Sequence, residues 1–163
     1  MAYDIYDASI PPLIHMLGGL SNILSKGEAH GGIDPNESRL APDMLPLKGQ
    51  VFIATDMAKG CGARLSGIEP PKYEDTETSF AELKARVAKT IAFLKGLDRK
   101  AFNGSENKHI VLKFPNNTFE FSGADYVGKF VLPNVYFHIT TAYGILRNKG
   151  VVLGKGDYLA GDK

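Results

Sequence analysis

Apolar residues recur at alternating steps of three and four along four stretches of the chain, and this spacing predicts four amphipathic helices. In the first, from about Ile5 to Lys26, the repeat is Ile10, Leu13, Leu17, Leu20 and Leu24. Pro11-Pro12 suits only the neighbourhood of a helix start, so the regular helix is expected to begin or bend there, and Gly27, Gly31 and Gly32 to end it. A connector rich in turn formers, centred on Asp34-Pro35-Asn36, leads to the second helix, with Asp43 as the expected cap and Pro46 in its first turn. Its seam is Leu47, Val51, Ala54, Ala58, Cys61 and Leu65, and Gly67 with Pro70-Pro71 stops it. Positions 58 and 60–63 are all small, which lets a neighbouring backbone approach closely.

Ser79 and Glu82 have capping-box spacing and open the third helix, whose seam is Phe80, Leu83, Val87, Ile91 and Leu94. The charges Glu82, Lys84, Arg86, Lys89 and Lys95 are read as lying mostly on its other faces. Next, His109–Phe114 and Thr118–Ser122 alternate weakly around Pro115-Asn116-Asn117 and predict a short hairpin. Two strands alone are marginal, so the hairpin must lean on the helices. Ser122 to Asp125 opens a fourth helix running to about Lys149, with Pro133 kinking or breaking it, and a glycine-rich tail follows. The expected architecture is one all-α domain over residues 1–163: a four-helix bundle with a short β-hairpin between helices 3 and 4.

Composition narrows the function more than it defines it. Nineteen basic and eighteen acidic residues give a net charge of +1, with no Lys/Arg run, so neither nucleic acid nor an anionic membrane surface is an expected partner. No stretch approaches the roughly 20 apolar residues that span a bilayer. The first six residues do not read as a secretory signal, and the single Cys61 forms no internal disulfide, so a cytoplasmic location is expected. A glycine-rich phosphate loop, paired-cysteine zinc spacing and a His-Glu-x-x-His motif are all missing from the sequence, and no reaction is assigned.

The candidate chemistry lies on the fourth helix, where Val127, Val131, Asn134, His138, Thr141 and Ile145 form one stripe interrupted by three polar groups. If that stripe faces inward, each buried polar group needs a partner or costs about 1–3 kcal/mol. On one reading, Asn134, His138 and Thr141 line a cavity that binds a small molecule, with His138 as acid, base or metal ligand. On the other, His138 is a structural histidine bonded across the bundle, or the helix is rotated and the stripe partly exposed. Gln50 and Asp56 are the polar residues of the second helix set among apolar neighbours. Asp56 is read either as a ligand or orienting carboxylate for His138, or as an exposed charge or an ion pair with Lys59. Cys61 reads as a buried thiol, and His15, His30 and His109 as peripheral.

Several strings resemble a bacterial branch, of unknown function, of the DinB/YfiT-like superfamily. They are Leu40-Ala41-Pro42-Asp43-Met44, the run from Gln50 to Gly60, Arg64-Leu65-Ser66-Gly67, Leu132-Pro133-Asn134-Val135-Tyr136-Phe137-His138 through Arg147, and the tail Leu153–Leu159. The resemblance covers nearly the whole chain. It implies an up-down-down-up bundle, often a homodimer, in which metal-binding members gather three histidines, one from the second helix and a His-x-x-x-His pair from a later one. Here the later pair is Asn134-x-x-x-His138 and the second helix has no histidine, so Gln50 or Asp56 would substitute. The expectation is therefore a small-molecule site around Gln50, Asn134, His138 and Thr141 with a degenerate metal site. The alternatives are a zinc- or nickel-dependent transferase or hydrolase using His138 and Asp56, and a non-enzymatic homodimeric module.

Overall fold

The computed structural model describes residues 3–161. Helix α1 (Ile5–His30) starts upstream of the prolines. Asp4 caps the Asp7 amide and Asp7 returns the bond, while Arg99 binds both carboxylates (2.7 Å to Asp7 Oδ1, 2.8 Å to Asp4 Oδ2). With its start pinned in this way, the helix runs through Pro11 and Pro12. It also passes Gly27, correcting the expected stop: a Cβ there would lie 2.7 Å from Leu146 and 3.0 Å from Phe80. That glycine serves close packing rather than termination.

Helix α2 (Leu47–Ser66) has Pro46 at its N-cap, without a side-chain cap, so Asp43 does not cap it. It ends on Gly67 at φ 83°, the left-handed conformation glycine adopts freely. Helix α3 (Phe80–Lys95) opens with the Ser79/Glu82 capping box in full. Two 3-10 turns, Arg99–Phe102 and Ser105–Asn107, lead to strands β1 (His109–Phe114) and β2 (Asn117–Ser122), paired antiparallel with Ile110 opposite Phe121 and Leu112 opposite Phe119. Ile110 and Leu112 point into the core. On β2, Phe119 and Phe121 join Phe130 and Tyr126 in an aromatic cluster with centroids 5.4–6.4 Å apart, and through it the hairpin rests on the bundle.

The last long helix is built in three pieces: α4 (Gly123–Asp125), a π-helical turn (Tyr126–Val131) and α5 (Leu132–Asn148). Pro133 follows directly on the π turn, where the regular hydrogen-bond ladder that a proline interrupts is already displaced. A π turn carries one extra residue, which shifts the helical phase by about 100°. The core stripe therefore takes in Val135, Ile139, Ala142 and Leu146 after Val127 and Val131, beside the expected Thr141 and Ile145, which are buried as well. Asn134 and His138 fall at its edge, half-buried. The tail also holds an unexpected short helix, α6 (Lys155–Leu159), tied to α1 by Asn22 Nδ2 on the Asp157 carbonyl (2.9 Å) and by Lys26 on its carboxylate (2.6 Å).

Helices α1 and α2 each pack against α3 and α5, so the two consecutive helices stand on a diagonal of the four-helix bundle. Leu13, Leu17, Leu20 and Leu24 of α1 meet Val51, Ala58 and Leu65 of α2, Leu83 and Val87 of α3, and the α5 stripe in one continuous core. Among the described residues, no helix is long and apolar enough to cross a membrane.

Candidate functional site

The structure brings Gln50 and His138 together. Gln50 is 2% exposed, and its Nε2 donates to the Leu45 carbonyl at 2.9 Å, which turns Oε1 toward His138 Nδ1 at 2.7 Å. Oε1 only accepts, so Nδ1 carries the proton and Nε2 presents a lone pair. Burial holds the imidazole pKa below its usual value and keeps the ring neutral at pH 7. Because the folded pKa lies below the unfolded one, the unfolded chain binds more protons on acidification. This contribution to stability is complete above about pH 6.5 and is lost as the pH falls from there through the lowered folded pKa. The urea midpoint of the native protein should fall more steeply between pH 7.5 and 5 than that of His138→Gln. Parallel curves would contradict the assignment.

The other expected site residues are engaged elsewhere. Asn134 Nδ2 donates to the Phe130 carbonyl at 2.7 Å, and Thr141 Oγ1 to the Phe137 carbonyl at 2.8 Å, both within their own helix. The Asn134 amide thus partners a carbonyl in the distorted turn beside Pro133. Asp56 does not meet His138, and this corrects their proposed pairing as metal ligands. Six residues from Gln50, it lies about 120° round α2 and faces α3, binding Lys59 Nζ at 2.9 Å and Arg86 Nη2 at 3.0 Å. One imidazole with its Nδ1 committed to an amide, an Asn committed to backbone and an Asp56 turned to Lys59 and Arg86 do not fit a zinc or nickel ion. Among the described residues, no three His, Cys, Asp or Glu side chains are grouped to hold a metal.

Arg86 is the largest departure from the sequence reading: it is 3% exposed, against the expected outward face. Its guanidinium gathers Thr55 Oγ1 (2.8 Å), the Glu74 carbonyl (3.2 Å), and the carboxylates of Asp56 (3.0 Å), Asp75 (3.0 Å) and Glu77 (3.2 Å). It also lies 4.7 Å from the Phe52 ring centroid and 5.2 Å from that of Tyr73. This one side chain fastens the α2–α3 connector across α2. Fastened there, Pro70, Pro71 and Tyr73 form one wall of a cleft of about 460 Å³.

The cleft's floor is the α2 stripe Asp56, Lys59, Gly60 and Arg64, and its opposite wall is Leu112 and Phe114 of β1 with Tyr126 and Phe130 of the π turn. Lys59 Nζ lies 4.0 Å from the Tyr73 ring centroid, and Arg64 Nη1 donates to Tyr126 Oη at 3.0 Å. Burial pushes the Tyr126 phenol up to about 12, so it keeps its proton at neutral pH. Cys61, fully buried behind the floor, is likewise pushed up to about 12 and is no nucleophile. Of these cleft residues the sequence reading weighed only Asp56 for a functional role, with Lys59 as its ion-pair partner, Gly60 as one of a run of small residues and Pro70-Pro71 as a helix stop. Tyr126 and Phe130, one turn apart, and the small residues of α2 were the available signals.

The architecture is that of a DinB-type bundle. The crystal structure of a DinB family member from Shewanella denitrificans, at 1.83 Å resolution, superposes with a TM-score of 0.84 at 38% sequence identity, covering 94% of this chain and 90% of that one. The chain belongs to the DUF1993 family, a domain of unknown function, whose profile matches residues 5–159. No curated protein matches the sequence.

Proposed function

We propose that this chain is a small-molecule-binding protein whose site is the cleft over α2, rather than a space around Asn134, His138 and Thr141. One observation carries the reading. The π turn aims Tyr126 and Phe130 at the α2 floor, where the hairpin and the Arg86-anchored connector close a concavity around them. Mostly apolar walls with a few convergent polar groups are the usual make-up of a ligand pocket, and π turns recur at functional sites because the extra residue re-aims side chains. Asn134 and Thr141 are spent on their own helix, which leaves them little to offer a ligand. Ligand-observed NMR with an aromatic fragment library checks this reading. Fragments should bind the native protein and lose most of that binding in Phe130→Ala. A screen without hits, or hits indifferent to Phe130→Ala, overturns it.

A further inference from the structure

The polar groups of the cleft are unevenly matched, and the imbalance points to what it binds. At one end, Lys59 is neutralised by Asp56 and covered by the Tyr73 ring, while Asp56 also serves Arg86. Over Gly60, to which its side chain reaches back, Arg64 has only a neutral hydroxyl as side-chain partner, Tyr126 Oη, and no carboxylate among the described residues pairs with it. A guanidinium offers five N–H donors in a planar fork, and this phenol occupies one of them. Because Tyr126 accepts from Arg64, its own O–H remains to be donated. A positive fork and a hydroxyl donor therefore converge over Gly60, which is the chemistry that recognises a carboxylate or a phosphate monoester.

Around this fork, Leu112, Phe114, Phe130 and Pro71 present the cleft's apolar surface. Arg64 reaches its position by lying across Gly60: a Cβ at residue 60 would fall 2.3 Å from Nη1. Asp56 and Glu74 line the other end together with Lys59 and Lys72, so the carboxylates there are matched by cations. Resting on the cleft as the binding site, we infer that its ligand is an amphipathic molecule with one acidic group, which sits on Arg64 and Tyr126 while a flat apolar body lies against Leu112, Phe114 and Phe130.

Titration of three matched probes, naphthalene-2-carboxylate, 2-naphthyl phosphate and the uncharged 2-naphthamide, followed by protein NMR, tests this. One or both anions should bind the native protein about ten-fold tighter than the amide, the scale of a charge-assisted bond, and the stronger anion identifies the headgroup. The preference should vanish in Arg64→Met while the amide's affinity stays the same. Gly60→Ala keeps the fold, since alanine is the better helix residue and only the flexible end of Arg64 must move, yet it should also cut the anion preference. Anion and amide binding equally to the native protein, or an anion preference unchanged in Arg64→Met, overturns the inference and leaves the cleft reading standing. If none of the three probes binds, the cleft reading itself fails.

Discussion

Replacing Arg86 with alanine is expected to destabilise the fold by about 3 kcal/mol, read as a lower urea midpoint. The guanidinium is buried and serves oxygens of five residues, three of them through carboxylates from α2 and the α2–α3 connector. Removing it strands Thr55 Oγ1's partner position in the core and leaves Asp56 and Glu77 facing each other with less positive charge between them. The cost stays at the low end for a broken buried ion network because Asp56 and Asp75 are partly exposed and rehydrate. Arg86→Lys should recover only part of the loss, since an ammonium cannot span partners set around a planar fork. A midpoint within error of the native value would show that the connector is held by something else. The same substitution releases Pro70, Pro71 and Tyr73, so ligand binding in the cleft should weaken along with stability.

Gly123→Ala is expected to be as damaging, at about 3 kcal/mol or more. A Cβ at residue 123 would sit 1.8 Å from the Ser105 carbonyl oxygen, and both groups belong to backbone that no rotamer change can move. The junction that hands the hairpin over to the π turn would have to open, taking Leu112, Tyr126 and Phe130 with it. Gly128→Ala, in the same helix, meets nothing within 4 Å and should be neutral or slightly stabilising. Thermal midpoints of the two variants check the contrast, and equal behaviour would refute the packing argument at Gly123.

These two positions also mark where sequence reasoning stops. The four helices were legible because their apolar residues repeat with the helical period, and the Ser79/Glu82 box and Gly67 mark ends by local chemistry alone. Pro133 stands just after a distorted turn, but the helix runs on through it without a break. That the distortion is a π turn, adding one residue of phase, leaves no trace in the periodicity before it. The stripe was therefore extended through Asn134 and His138, while the chain buries Val135 and Ile139. Arg86 was read as solvated from its charge, although it stands three residues after Leu83 and four before Thr90, both fully buried. Gln50 was correctly marked as a polar residue in apolar surroundings, and its partner is His138. Asp56 with Lys59 was the blander of two readings, and that ion pair is present. The cleft itself joins residues near 60, 72, 112 and 128, four separate segments of chain, and no local pattern announces such a meeting.

Chemical-shift mapping of a bound aromatic carboxylate on the native protein tests the central claim most directly. The account predicts that the largest amide shifts fall on Gly60, Arg64, Leu112, Tyr126 and Phe130, with Leu45, Gln50 and His138 unmoved. Shifts centred on Gln50 and His138, with the α2 cleft silent, would contradict it.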